Sequence, residues 1–235
     1  MPEAYFLADL HLFTRRSLAG RHEAAIAEAA ARASTFVLGG DIFDFAWCEQ
    51  PTVASAVEQA AGWLQRLVAE HRQCQFYFLL GNHDCHPYFV KRLDELAQSL
   101  PNLEWDPYYL RMGHSLFLHG DVHRQRRPSD ALLKSRRRWM RARPRGPALN
   151  RLYDLAMHSG LHKVATRVAH PKRTSARRIL RYLEEIGHGP ANGVRHVYFG
   201  HTHRQLSDFE YGGLLFHNSG SPMRGVPFRI VKIRA

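Results

Sequence analysis

The chain alternates short apolar runs with longer segments whose apolar residues recur at helical spacing. Tyr5 to Ala8, Thr35 to Leu38, Gln75 to Leu80, Ser115 to Leu118 and Val197 to Phe199 have the length of strands, and each runs into a turn of glycine and polar residues. Between them, the alanine-rich stretch Arg21 to Ala33 reads as a helix. Val53, Val57, Ala60, Ala61, Leu64, Leu67 and Val68 form one helical stripe after Pro51-Thr52, and a further helix is predicted over Pro87 to Ser99. Alternation of strand and helix implies an α/β fold. The late strands Leu214 to Asn218 and Phe228 to Ile233 have no helix between them, which predicts a second sheet.

Residues 122–188 carry a different pattern. Leu132, Leu133, Trp139 and Met140 recur on one side of a segment whose other side bears Lys134, Arg137, Arg138 and Arg141, and Pro144 to Pro147 then interrupts it. Leu149, Leu152, Tyr153, Ala156 and Met157 make a second stripe, followed by Leu161, Val164, Ala165 and Val168. Thr174 or Ser175 is placed to cap a last helix carrying Ile179, Leu180, Leu183 and Ile186. The pattern predicts a helical lid inserted at 122–188 within a single domain spanning 1–235. There is no repeat of 20 to 50 residues and no Gly/Ser linker.

Charge sharpens this division. The net charge is +12, but residues 124–181 hold 18 of the 33 lysines and arginines against only Asp130 and Asp154, a local balance of +16 beside −4 for the remainder. A basic insertion on a mildly acidic body calls for an anionic partner or surface. Three readings stay open: a solvated helical face, peripheral contact with an anionic membrane through Leu132, Leu133, Trp139 and Met140, or contact with nucleic-acid phosphates. Apolar pairs seven apart with arginines between them favour the membrane interface over nucleic acid, because the basic stretch offers only Trp139 and Tyr153 as stacking platforms. Cys48, Cys74 and Cys85 are odd in number and lack C-x-x-C spacing, which argues against a disulfide framework or a structural zinc site and fits a reducing compartment. No apolar run reaches the ~18 residues of a membrane span. The expectation is a cytoplasmic protein.

Chemistry-bearing residues gather in five motifs at the ends of the predicted strands: Asp9-x-His11, Gly40-Asp41-x-x-Asp44, Gly81-Asn82-His83-Asp84, His119-Gly120-Asp121 and Gly200-His201-Thr202-His203. Any one of these is weak. All five in this order, from Asp9 to Ser221, make the chain resemble the calcineurin-like metallophosphoesterases. The resemblance implies a four-layer αββα sandwich of two mixed sheets and a centre of two divalent ions roughly 3.5 to 4 Å apart. Asp41 would bridge the ions, Asp9, His11 and His203 would complete one site, and Asn82, His119 and His201 the other. A donor set of imidazole, carboxylate and one amide suits manganese first, with iron, zinc, cobalt or nickel also fitting, better than calcium. His83 resembles the family's catalytic histidine, which stabilises charge or protonates the leaving oxygen. Asp84 is expected to orient His83 or its loop, with Asp44 and Asp121 as further supports. His86, His114, His123 and His217 read as non-ligands, Cys85 as an inert small thiol, and Asn218-Ser219-Gly220-Ser221 as a late loop facing the site.

The lid is similar to that of the UDP-2,3-diacylglucosamine pyrophosphatases, which cleave a lipid-linked nucleotide sugar to UMP and a lipid monophosphate in lipid A synthesis. That likeness implies that Arg137, Arg138, Arg141 and Trp139 meet the substrate's phosphates and apolar parts. The best-known branch of that group has Arg where this chain has His83, and in this respect the chain is closer to generic phosphoesterases. The expected partner is a phosphate-containing substrate, with a lipid-linked nucleotide sugar set against a nucleotide or nucleic-acid phosphodiester. A non-catalytic basic scaffold would show a broken ligand set, whereas all seven residues are present.

Overall fold

The computed structural model describes residues 3–122, 128–158 and 171–234. The first apolar runs build a sheet because their residues are apolar on both faces. In β1 (Glu3–Leu7) and the residue after it, Tyr5 and Leu7 pack to one side while Phe6 and Ala8 pack to the other. The same alternation divides Phe36 and Leu38 from Val37 in β2 (Ala33–Leu38), and Phe78 from Leu79 in β3 (Gln75–Leu79). These strands and β4 (Leu103–Asp106) run parallel, in the order β1-β2-β3-β4. Helices α1 (Glu23–Arg32), α2 (Val53–Glu70) and α3 (Pro87–Ser99) cover the outer face. Thr52 caps α2, its hydroxyl accepting the Ser55 N–H at 3.1 Å, and Pro87 opens α3 where its missing N–H costs nothing.

A second five-stranded sheet is mixed, its three central strands parallel and both edge strands antiparallel to their neighbours. It consists of β5 (Tyr109–Met112), β6 (Ser115–Leu118), β7 (His196–Phe199), β8 (Leu206–Tyr211) and β9 (Leu214–Asn218), in the order β5-β6-β7-β9-β8. Leu116, Leu118, Val197 and Phe199 face helix α6 (Lys172–Glu185) through Ala176, Ile179 and Leu183. Phe117 and Tyr198 face the other way and meet Phe6, Val37 and Leu79 of the first sheet, with the Phe117 and Tyr198 rings stacked at 4.9 Å. Helices, sheet, sheet and helix form four layers.

Several expectations change. The run Phe228 to Ile233 yields only a two-residue strand, β10 (Val231–Lys232), and it joins the first sheet, antiparallel to β1. Val231 is drawn there by burial between the sheets, while Phe228 makes a single bridge to Gly220. Helix α1 starts at Glu23 after a 3-10 turn over Ala19–His22, and Ala33 already belongs to β2. The strands β4, β5 and β8 escape the apolar pattern because they are short or carry polar residues at sheet edges.

In the insertion, α4 (Pro128–Met140) and α5 (Pro147–His158) flank the Pro144–Pro147 break, and α6 follows. Pro171, extended at ψ 136°, precedes α6, so Thr174 and Ser175 lie inside its first turn and cap nothing. The stripe expected on α5 fails at its start, where Leu149 and Leu152 are 48% and 64% exposed while Asn150 is buried, and holds at Tyr153, which packs on Trp47; the side chains of Ala156 and Met157 lie outside the described ones. Leu161, Val164, Ala165, Val168 and His123 lie outside the described residues. Among the described residues no helix is long and apolar enough to cross a membrane.

Candidate metal centre

Because β1, β2 and β3 are parallel, as are β6, β7 and β9, the loops after them open together at one rim of the sandwich. The chain turns sharply there. Asp9, His11, Asp41, His201 and His203 all adopt left-handed backbone, at φ between 46° and 64°, a conformation that non-glycine residues hold only when their surroundings impose it. A Cβ on Gly81 would overlap the Asp41 carboxylate, and one on Gly200 would come within 2.9 Å of Asp9 Oδ2. Glycine at these two positions lets neighbouring loops close on the carboxylates.

Among the described residues, three groups of side chains offer donor atoms within 4.8 Å of one another: Asp9, His11 and His203; Asp41, His119 and His201; and His11, Asp41 and His83. His11 Nε2 lies 3.0 Å from His203 Nε2, and His203 Nε2 is 3.7 Å from Asp9 Oδ1. On the other side His119 Nε2 lies 3.2 Å from Asp41 Oδ2, and the His119 and His201 rings meet edge to face at 5.3 Å. Asp41 and His11 each belong to two of the three groups. Asn82 is buried beside them, its Oδ1 without a hydrogen-bond partner.

Hydrogen bonds hold this arrangement in place. Asp9 Oδ1 accepts the His201 N–H at 2.9 Å, and Asp41 Oδ1 accepts the His83 N–H at 2.7 Å. Ser221 donates to the Asp9 carbonyl, and Asn218 donates to the Gly200 carbonyl and to Thr202. The late loop therefore braces the ligand-bearing turns from behind. His119 is aimed by its Nδ1, 3.1 Å from the Gly39 carbonyl.

Of the two roles expected of Asp84, orienting His83 or its loop, the hydrogen bonds show the second. Both of its oxygens are taken by backbone, accepting from Gly81 at 2.7 Å and from Ile42 at 2.9 Å, so it holds the loop and faces no reacting group. Asp44 is the partner of His83, with Oδ2 at 2.8 Å from Nδ1, and it is itself fixed by the N–H groups of Ala46 and Trp47.

The electrostatics follow from burying opposed charges together. Burial pushes Asp9 up, and His119 only partly offsets this. Asp41 would likewise rise by burial, but His119 and His83 hold it well below the usual carboxylate range. Burial alone would lower His83, yet Asp44 and Asp41 raise it to about 9. Burial and the neighbouring His11 push His203 well down. Burial pushes the Cys85 thiol to about 12, which keeps it protonated.

Helix α4 reaches this centre. The Trp139 ring lies over His83, with centroids 3.9 Å apart and the planes tilted by 43°. Arg138 and Arg141 line a neighbouring cavity of about 550 Å³ together with Trp139, Arg143, Arg145 and Leu149, whereas Arg137 is exposed and is not among its lining.

Two buried arginines were missed by the sequence reading. Arg136 grips Asp121 and the carbonyls of Leu80 and Pro107, pinning α4 to the body. Arg16 packs against the rings of both Trp47 and Tyr153, which touch each other at 4.8 Å, and reaches Asn150 and Asp154 of α5. Both sit in runs of arginine, and nothing in such a run marks which member turns inward.

The residues present fit divalent cations. Asp9 Oδ2 and Asn82 Oδ1 are buried without hydrogen-bond partners, and Asp9 belongs to a cluster of imidazole and carboxylate donors of the kind that holds such ions. A sequence profile described as calcineurin-like phosphoesterase matches residues 4–205. No curated protein matches the chain significantly.

Proposed function

This chain belongs to the calcineurin-like phosphoesterase family, a family of metal-binding hydrolases acting on phosphoester bonds, and we propose that it hydrolyses a diphosphate in a lipid-linked nucleotide sugar of the UDP-2,3-diacylglucosamine type, releasing UMP and a lipid monophosphate. The observation that carries this reading is Trp139 of the lid over His83, beside a cavity lined by four arginines and Leu149. Such a wall suits a substrate that continues from the scissile phosphate into further anionic and apolar parts.

Asp9, His11 and His203 would hold one divalent ion and Asn82, His119 and His201 the other, with Asp41 shared, and manganese suits the donors first. When bound, the ions supply Lewis acidity toward the phosphoryl group and acidify water. The remaining work belongs to the chain. Asp44 takes up His83 Nδ1 and keeps the imidazole cationic, which leaves Nε2 to donate to the leaving oxygen as charge builds on it. Trp139 shields that ring from water. Arg138 and Arg141 would take phosphate oxygens, and the exposed Leu149 and Leu152 would meet acyl chains at an anionic membrane surface.

The four arginines of that cavity also favour a second reading, a nucleotide or nucleic-acid phosphodiesterase. Release of UMP or phosphate from a UDP-diacylated sugar, UDP-sugars without acyl chains, bis-p-nitrophenyl phosphate and single-stranded DNA, with manganese and with chelator, separates the two. Preference for the acylated substrate supports the lipid reading. Cleavage of only the model diester or DNA sinks it, and no cleavage of any substrate by metal-loaded protein would mark a scaffold.

A further inference from the structure

Helix α6 turns a row of like charges outward. Its apolar residues Ala176, Ile179 and Leu183 are taken up by the second sheet. Opposite them, Arg173, Arg177 and Arg181 recur at every fourth position and are exposed, so three guanidinium groups share one face. Lys172 is exposed beside them, and Arg178 is half-buried.

The acids that ordinarily balance such a row are missing. The first turn of α6 has none, and Glu184 and Glu185 come only at its end, where Arg181 Nε lies 3.9 Å from Glu185 Oε1. Among the described residues, Arg173, Arg177 and Arg178 make no ion pair. Along the chain, no aspartate or glutamate occurs from 155 to 183, while seven lysines and arginines do. Like charges four apart on a helix repel, and cations in its first turn oppose its dipole, so the row weakens the helix that carries it. An anionic partner reverses that sign.

The makeup of the face narrows the partner. A helix that docks on a membrane sends apolar side chains into the interface, and α6 offers none: the large apolar residues exposed among the described ones are Tyr88, Leu149 and Leu152. Single-stranded nucleic acid is held by ring stacking as well as charge, and the one aromatic residue of α6, Tyr182, is buried. Arginines alone suit a duplex backbone, whose phosphates their forked donors match. From Arg173 to Arg181 the row spans about 12 Å at ~1.5 Å per residue, a length in which one strand presents three to four phosphates at about 3.4 Å each.

We infer that the outward face of α6 is a sequence-independent docking surface for a nucleic-acid duplex, with Arg173, Arg177 and Arg181 on its phosphates. None of the three belongs to the candidate metal ligands or to the arginine-lined cavity of the insertion. The inference does not depend on which bond the metal centre hydrolyses.

The experiment is fluorescence anisotropy of a short labelled phosphorothioate duplex, which resists hydrolysis, titrated with metal-loaded full-length protein across a salt series. Three triple variants are compared with wild type: Arg173→Gln, Arg177→Gln, Arg181→Gln; the same three positions changed to Lys; and Arg137→Gln, Arg138→Gln, Arg141→Gln in the insertion. The first should weaken binding at least ~10-fold near ~0.1 M salt and flatten the slope of log K against log salt by about 2.7, three contacts at ~0.9 each. The Lys triple should keep most of the slope, and the insertion triple should lose less than the first. Hydrolysis of bis-p-nitrophenyl phosphate should be unchanged in both α6 variants. An unchanged slope in the first triple, or a loss confined to the insertion triple, would leave α6 a solvated face and overturn the inference. Wild type that prefers vesicles of phosphatidylcholine and phosphatidylglycerol to the duplex at equal anionic charge would overturn it too, making this face a membrane contact. If the first triple does not fold, Arg177→Gln alone decides, with a slope change of about 0.9 expected and none rejecting the surface. Protein that binds the duplex through α6 yet hydrolyses no ester would defeat the functional reading and leave this one standing.

Discussion

Arg136 and Asp121 form a two-pronged ion pair with almost no access to water, Nε to Oδ2 at 2.8 Å and Nη2 to Oδ1 at 2.9 Å. Arg136 belongs to α4 and Asp121 follows the candidate ligand His119 by two residues, so one contact ties the lid to the metal rim. Two of the remaining guanidinium hydrogens reach the Leu80 and Pro107 carbonyls. Burial would raise Asp121, but Arg136 holds it below its ordinary value.

Removing one partner leaves the other charged and buried. Arg136→Leu should therefore destabilise the protein by about 3–5 kcal/mol, read from urea unfolding, and Arg136→Leu combined with Asp121→Leu should recover part of that loss. A loss no larger than that of a surface arginine would mean that α4 docks without this pair.

The orphaned oxygens of Asp9 and Asn82 make a second expectation. Divalent metal should raise the melting temperature, and chelator should lower it, because an ion bound only by the folded chain stabilises by about 2.7 kcal/mol at a hundredfold excess over Kd. Asp41→Asn and Asp9→Asn should lose bound metal by elemental analysis, while His86→Asn, whose ring caps α3, should keep it. An unchanged metal content in Asp41→Asn would remove that residue from the centre.

Much of this was legible from the sequence, and the reasons are physical. Strands such as Tyr5–Ala8 and Val197–Phe199 stand out because both of their faces are buried, one between the sheets and one under helices. Edge strands have no such double burial, so β4 and β8 passed unnoticed, and Phe228–Ile233 was read as too long a strand in the wrong sheet. The seven candidate ligands could be picked out because chemistry restricts their types and the strand ends restrict their places. Which residue orients His83 could not: Asp44 and Asp84 are equally near in pattern, and only the loop geometry turns Asp44 to the imidazole and Asp84 to backbone. Arg16 of the first loop and Arg136 of the basic insertion stayed hidden for the same reason, since their burial is decided by partners that pattern does not place beside them.

The pair of His83 and Trp139 separates chemistry from metal binding. His83→Gln should lower kcat by roughly 10²–10⁴ with metal content intact, and Asp44→Asn should lower it less. Trp139→Ala should mainly raise KM for a substrate that extends into the arginine-lined cavity, with a smaller effect on bis-p-nitrophenyl phosphate. Loss of metal in His83→Gln would instead make this histidine a ligand, a role its membership in the group with His11 and Asp41 leaves chemically available.

Away from the centre, His217 sets an acid limit on stability. It is buried in β9, stacked on Tyr198 at 4.6 Å, with Nε2 at 3.2 Å from His196 Nδ1 and Asp208 donating its N–H to Nδ1. That pattern requires a neutral ring, since Nδ1 must accept. Burial pushes its pKa down to about 4, with the Asp208 carboxylate only partly opposing and His196 adding to the shift. The unfolded chain takes up a proton near pH 6.5 and the folded chain only near 4, so stability is full above pH 6.5 and falls as the pH drops through that window. By pH 5 the wild type should have lost about 2 kcal/mol from this group. His217→Gln, which carries no titrating ring, should lose none of that share, so the difference between their unfolding free energies should narrow or reverse between pH 7.5 and pH 5. A constant difference across that range would mean that His217 takes up its proton in the folded state as readily as in the unfolded one.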